Sequence, residues 1–190
     1  MGHESSRRER GVKPDPALMV QGISHINIVV DDIEGATVFY HRTLGFEIAS
    51  NPRRVMDYRD VTMEAFARNA GFLDQDIRLD IRFLVHPAVG LYLELMRYHE
   101  PRGDQTITVK KTNDLGGIRH VAFAVSDATA MYEYLREQPG VQMINPSPEY
   151  GPPQSLVSGI KFFYWLDPWG VQWEMEEGRS IGSIRGIRVD

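Results

Sequence analysis

Apolar and polar positions alternate in two stretches of this chain, and the two stretches share one order. Residues 23–30 form an apolar, β-branched run ending at Asp31 and Asp32, the pattern of a strand. Asp32 is placed to cap a following helix, IEGATVFYHRTL, in which Ile33, Ala36, Phe39 and Tyr40 recur at helical spacing. Gly45 stands where a left-handed residue ends such a helix. Strands are predicted at 46–49, 77–86 and 91–98, with an irregular or partly helical stretch at 51–76. After a segment rich in Pro, Gly, Asp and Asn the order returns: strand 118–125, helix from Asp127 to about Gln138, Gly140, and strands 141–144, 160–166 and 171–175. A Pro/Gly/Ser-rich loop covers 145–158. The predicted organisation is a flexible arm (1–21), a first βαβββ module (22–98), a linker (99–117), a second βαβββ module (118–176) and a tail (177–190).

The repeat carries chemistry as well as shape. His25 opens HINIVV and His120 opens HVAFAV; GLYLE ends at Glu94 and GVQWE ends at Glu174. Each module therefore contributes one His early and one Glu late. Side chains alternate between the faces of a strand. Ile26, Ile28 and Val30 share one face and His25, Asn27 and Val29 the other. Leu91, Leu93 and Leu95 oppose Tyr92, Glu94 and Met96; Val121, Phe123 and Val125 oppose His120, Ala122 and Ala124; Val171, Trp173 and Met175 oppose Gln172 and Glu174. Every strand keeps an apolar face suited to a helix layer and sets its candidate ligand on the opposite face. His25, Glu94, His120 and Glu174 are a plausible ligand set for one divalent ion. A single His or Glu on a strand is usually solvated or structural; the twofold recurrence separates these four from His3, His41, His86 and His99, which have no repeat partner.

Composition narrows the class. At 42% hydrophobic and 25% charged residues the chain is an ordinary soluble globular sequence. A net charge of −5, with only a short RRER basic run, argues against a nucleic-acid partner. Cysteine is absent, so a metal must be held by nitrogen and oxygen. No apolar run is long enough to span a bilayer and no signal-peptide pattern opens the chain, so a cytoplasmic location without membrane contact is expected.

HINIVVDDIEGATVFYHRTLGFE resembles the opening of a module of the vicinal oxygen chelate superfamily, and LYLELMRY and DPWGVQWEME resemble its metal-bearing final strands. That group includes glyoxalase I, methylmalonyl-CoA epimerase, extradiol dioxygenases and fosfomycin-resistance proteins. The resemblance covers about residues 22–176 and implies an α+β fold, two tandem βαβββ modules forming an incomplete β-barrel around a metal site. The order His-Glu-His-Glu is similar to bacterial-type glyoxalase I. The epimerases commonly carry Gln where this chain has Glu94, and the dioxygenases use two His and one Glu. The resemblance implies a divalent-metal enzyme (Ni, Co, Mn, Fe or Zn) of the isomerase, epimerase or lyase kind. It would move a proton next to a carbonyl or enediolate of a small molecule, with Glu174 as first choice of base and Glu94 as its counterpart. An Fe(II) extradiol-type dioxygenase using His25, His120 and Glu174, and a non-catalytic drug- or metabolite-binding resistance protein, are the alternatives. Parity makes Asn27, Tyr92, Met96 and Gln172 substrate-pocket candidates. The segments 54–76 and 145–159 are candidate lids, with Tyr150 and the FFYW run at 162–165 offering aromatic surface that core packing explains equally. No distinct basic cluster for substrate phosphates stands out, although Arg53, Arg54 and Arg59 are near one another. Members of that superfamily complete the site within one chain or exchange modules between two, so a homodimer is compatible with this organisation.

Overall fold

The computed structural model describes residues 16–72, 75–145, 155–157 and 159–178. A short helical turn, α1 (Pro16–Met19), precedes the first module. That module runs β1 (Ile26–Val29), α2 (Ile33–Leu44), β2 (Glu47–Ile48), β3 (Asp57–Thr62), α3 (Glu64–Asn69), β4 (Arg78–Val85) and β5 (Tyr92–Glu100). The second runs β6 (Val121–Ala124), α4 (Ala128–Arg136), β7 (Gln142–Met143), β8 (Ser155–Val157), β9 (Ile160–Leu166) and β10 (Gln172–Glu177). Each builds one sheet, in the orders β1-β5-β4-β2 and β6-β10-β9-β7. β1 lies parallel to β5 and β6 parallel to β10, with the other pairs antiparallel. The expected mixed α/β fold with two repeated sheets is present, and neither sheet closes into a barrel.

The second strand of each module differs from expectation. β2 and β3 both pair with β4, consecutively along one edge: Ile48 faces Leu84 and Asp57 faces Arg82. Ala49 N–H donates to Phe83 O and Phe83 N–H to Met56 O, bridging the break. β7 and β8 repeat the device along β9. The plan is still βαβββ, with its second strand interrupted by an excursion. The charged sequence DYRDVT hid β3. Its Asp57 meets the buried Arg82 guanidinium at 2.8 Å, and Glu34 of α2 meets the same guanidinium at 2.8 Å. Asp57 on that exposed strand thus helps neutralise the buried Arg82.

Helix ends follow local chemistry. Asp32 accepts from Glu34 N–H at the start of α2, and Asp127 accepts from Ala130 N–H at the start of α4. Gly45, at φ 74°, closes α2 in the left-handed conformation and donates its N–H to His41 O. One apolar core spans both modules: Ile28, Val30, Leu93 and Leu95 from the first join Phe163, Trp165, Trp173 and Met175 from the second. α2 reaches across. Phe39 packs on Trp165, and the Tyr40 hydroxyl donates to buried Asp167 in the β9–β10 turn at 2.7 Å. A second cluster forms where Met63, Phe66 and Ala67, at and within α3, cover Leu79, Ile81 and Met96. The 54–76 insertion thus lays a helix on the sheet face that carries Glu94. The 145–158 loop lies largely outside the described residues, as do Tyr150, residues 1–15 and residues 179–190.

Candidate metal centre

Within each sheet the parallel pairing sets histidine beside glutamate. Asn27 faces Glu94 across β1 and β5, so His25, two residues back on the same face, leans toward the Glu94 carboxylate. His25 Nε2 lies 3.2 Å from Glu94 Oε2. Ala122 faces Glu174 across β6 and β10, and His120 Nε2 lies 2.9 Å from Glu174 Oε2. The side chains of Glu94 and Glu174 are 17% and 7% exposed, so both carboxylates are largely withdrawn from water.

The surroundings repeat in part. Phe83 lies opposite Glu94 on β4 and meets the His25 ring edge-on at 5.9 Å. Tyr164 lies opposite Glu174 on β9 and packs against the His120 ring at 5.4 Å. Phe83 was not among the residues expected from sequence and Tyr164 lies within the FFYW run, while pairing with the glutamates places both on the ligand face. Ser24 Oγ lies 3.1 Å from His25 Nδ1, the kind of outer partner that orients a ligating imidazole. His120 Nδ1 is buried and has no such partner. Asn27 Nδ2 donates both to Glu94 Oε2 (3.1 Å) and to the Glu94 carbonyl (3.2 Å). At the matching place in the second module Ala122 can offer neither bond.

The structure unites the ligand candidates two by two. Among the described residues, no three His, Asp or Glu side chains gather closely enough to share an ion. The donor chemistry of the two pairs nonetheless fits a divalent ion: two imidazoles, two carboxylates and no thiolate. A cavity of about 310 Å³ lies between β1, the linker and the start of β6, with Asn27, His120 and Gln172 on its wall. Tyr92 is half-buried opposite Val85 and does not line that cavity. Met96 is 4% exposed and belongs to the cluster beneath α3, so its place is packing against the insertion. Among the described residues the other histidines have partners of their own: His41 with Phe46 O, His86 with Ala88 N and His99 with Asp80; His3 lies outside the described residues. Of the FFYW run, Phe163 and Trp165 are core, while Tyr164 borders His120.

Residues 22–175 match the model of the Glyoxalase/Bleomycin resistance protein/Dioxygenase superfamily. The chain belongs to that superfamily. A 2-epi-5-epi-valiolone epimerase from an Actinomyces species is 29% identical over 158 residues, covering 80% of this chain and 77% of the relative. A glyoxalase family protein from Bacillus cereus superposes with a TM-score of 0.65 at 20% identity, over 83% of this chain and 94% of that one. The fosfomycin resistance protein FosX from Listeria monocytogenes, solved with Mn(II) and sulfate, gives 0.52 at 19% identity, over 85% and 96%. Both solved structures share this superfamily fold of tandem modules. No helix among the described residues is long and apolar enough to cross a membrane.

Proposed function

We propose that this protein is a divalent-metal-dependent epimerase or isomerase that moves a proton at the carbon beside the carbonyl of a small ketone, of the valiolone type named for its Actinomyces relative. The observation that carries the reading is the twofold His–Glu contact, 3.2 Å in one module and 2.9 Å in the other, at equivalent strand positions. The two His–Glu pairs, His25 with Glu94 and His120 with Glu174, supply the donors for the ion, although no three of them gather closely among the described residues; when bound, the ion would supply Lewis-acid polarisation of a carbonyl oxygen. Epimerisation asks more of the protein than isomerisation does. A proton must leave one face of a carbon and return to the other, and two carboxylates from pseudo-equivalent strands can serve opposite faces. Glu94 Oε2 already accepts from Asn27 and faces His25, which suits a fixed ligand. Glu174, opposite Ala122, is the first choice to take the proton, and Glu94 is the counterpart that returns it. Phe83 and Tyr164 pack against the His25 and His120 rings.

The test is incubation with 2-epi-5-epi-valiolone and related hydroxylated ketones in D2O, with metal analysis of the same protein. Deuterium should enter beside the carbonyl with a divalent ion present, and Glu174→Gln should slow this by about 10²–10⁴-fold. Unlabelled, configurationally unchanged ketone across the panel, or oxygen uptake with a catechol instead, would overturn the proposal.

A further inference from the structure

The cavity between the modules holds an unusual balance of polar groups. Its wall includes Lys110 from the linker, Arg119 at the entry to β6, Thr108, Asn27, His120 and Gln172, and no carboxylate. The chain as a whole carries an excess of acid, with net charge −5. Yet among the described residues neither Lys110 nor Arg119 makes an ion pair. Arg119 bonds only the neighbouring Ile118 carbonyl at 3.3 Å, and its Nε is buried without an acceptor. Gln172, 5% exposed, has its amide nitrogen buried and unpartnered as well. The exposed Lys110 thus borders the same space as two buried donors without acceptors, Arg119 Nε and the Gln172 amide nitrogen, and buried donors without acceptors are costly.

The local backbone sets each cation against one turn. Gly116 and Gly117 both have positive φ, 98° and 73°. A side chain at Gly116 would begin 3.7 Å from Lys110 Nζ, and one at Gly117 would begin 3.6 Å from an Arg119 terminal nitrogen. The diglycine turn folds the linker so that both cations lie against it. Further back, Ile107 packs so near Gly170 that a Cβ there would stand 3.0 Å from it, which holds the linker on the β9–β10 turn.

We propose that this cavity is an oxyanion subsite in which Lys110, Arg119 and the Gln172 amide clamp a phosphate or carboxylate group carried by the substrate. The inference rests on the proton-transfer reading for the reacting end, since His120 shares the wall, and makes the substrate an anionic ketone. Arginine and lysine together match a tetrahedral or planar oxyanion, with the guanidinium giving direction and the ammonium charge.

The experiment is calorimetric titration of the full chain with inorganic phosphate and, separately, acetate. Saturable binding that weakens with salt, and falls about tenfold or more in each of Lys110→Ala and Arg119→Ala, is expected. The tighter of the two anions names the group the substrate carries. Absence of saturable binding, or variants that bind like wild type, would overturn the subsite. Glu174→Gln is run alongside to separate the readings. Phosphate lost there but unaffected by Lys110→Ala and Arg119→Ala sits on the ion, so the subsite fails and the proton-transfer reading survives. Phosphate binding that needs both cations, with no deuterium exchange in any ketone or its phosphate ester, gives the reverse outcome.

Discussion

Tyr40→Phe removes one oxygen, yet the structure makes it a test of how the modules are joined. The Tyr40 hydroxyl leaves α2 of the first module and donates at 2.7 Å to Asp167 Oδ2 in the second. Asp167 is 5% exposed and also accepts from Trp173 Nε1, Trp169 N–H and Val171 N–H, each at 2.9 Å. Burial pushes its carboxyl above the ordinary aspartate range, against the pull of the Trp173, Tyr40 and backbone hydrogen bonds. A hydrogen bond to an ionised group is worth about 1.5–3 kcal/mol. Taking about 2 kcal/mol, and about 2–4 °C per kcal/mol for a chain of this size, Tm should fall by about 4–8 °C near pH 7. The pH dependence has a definite sign. A raised folded-state value means that the folded protein keeps the Asp167 proton where the unfolded chain has released it. Asp167 therefore opposes stability increasingly as pH climbs from the usual aspartate value, 3.8, through the raised one. Tyr40→Phe withdraws a stabiliser of the ionised form, so its cost is greatest at neutral pH and shrinks on acidification, when only a neutral bond is lost. Scanning calorimetry at several pH values measures this. A shift below about 1 °C at pH 7, or a gap that widens toward pH 4, would refute the latch.

Met96→Ala should open a void between β5 and α3 and cost about 2–4 kcal/mol. Hydrogen exchange should then quicken across residues 64–69 while residues 128–136 keep their protection, and equal acceleration in both would count against local packing of the insertion. Asn27→Ala should reduce metal affinity or turnover by about 10–100-fold through a less constrained Glu94, read by metal titration and by kcat, with the thermal midpoint little moved.

Strand parity was legible because it depends only on neighbours in sequence. Ile28 and Val30, Leu93 and Leu95, and Trp173 and Met175 are buried on the faces their alternation assigned, and Asp32, Asp127 and Gly45 cap where expected. Parity gave each His and Glu the same class of face, as one expected set of four; their grouping two by two comes from the parallel pairing of β1 with β5 and of β6 with β10. What it could not reach were features made by distant chain segments. β3 was concealed because Asp57 is paid for by Arg82, a cation at a position where burial argues for an apolar residue. Met96 shared Glu94's face as foreseen, but α3 turned its end of that face into core. Lys110 lies in the aperiodic linker and Arg119 at the start of a predicted strand, and the Gly116–Gly117 turn that each lies against has no periodic signature.

Those non-repeating features bear on selectivity. Two His–Glu pairs related by a repeat present nearly the same chemistry from either side, and such a centre has little means of telling one end of a small ketone from the other. The asymmetry must come from where the modules differ. Asn27 donates to Glu94, a bond that Ala122 at the matching place cannot repeat. Lys110 of the linker, which is present once, and Arg119 at the entry to β6 line the cavity that His120 shares with Asn27. A charged substrate group drawn there would fix which face of the reacting carbon meets Glu174 first. Duplication would thus supply the ligands, and the unduplicated linker the direction in which the proton travels.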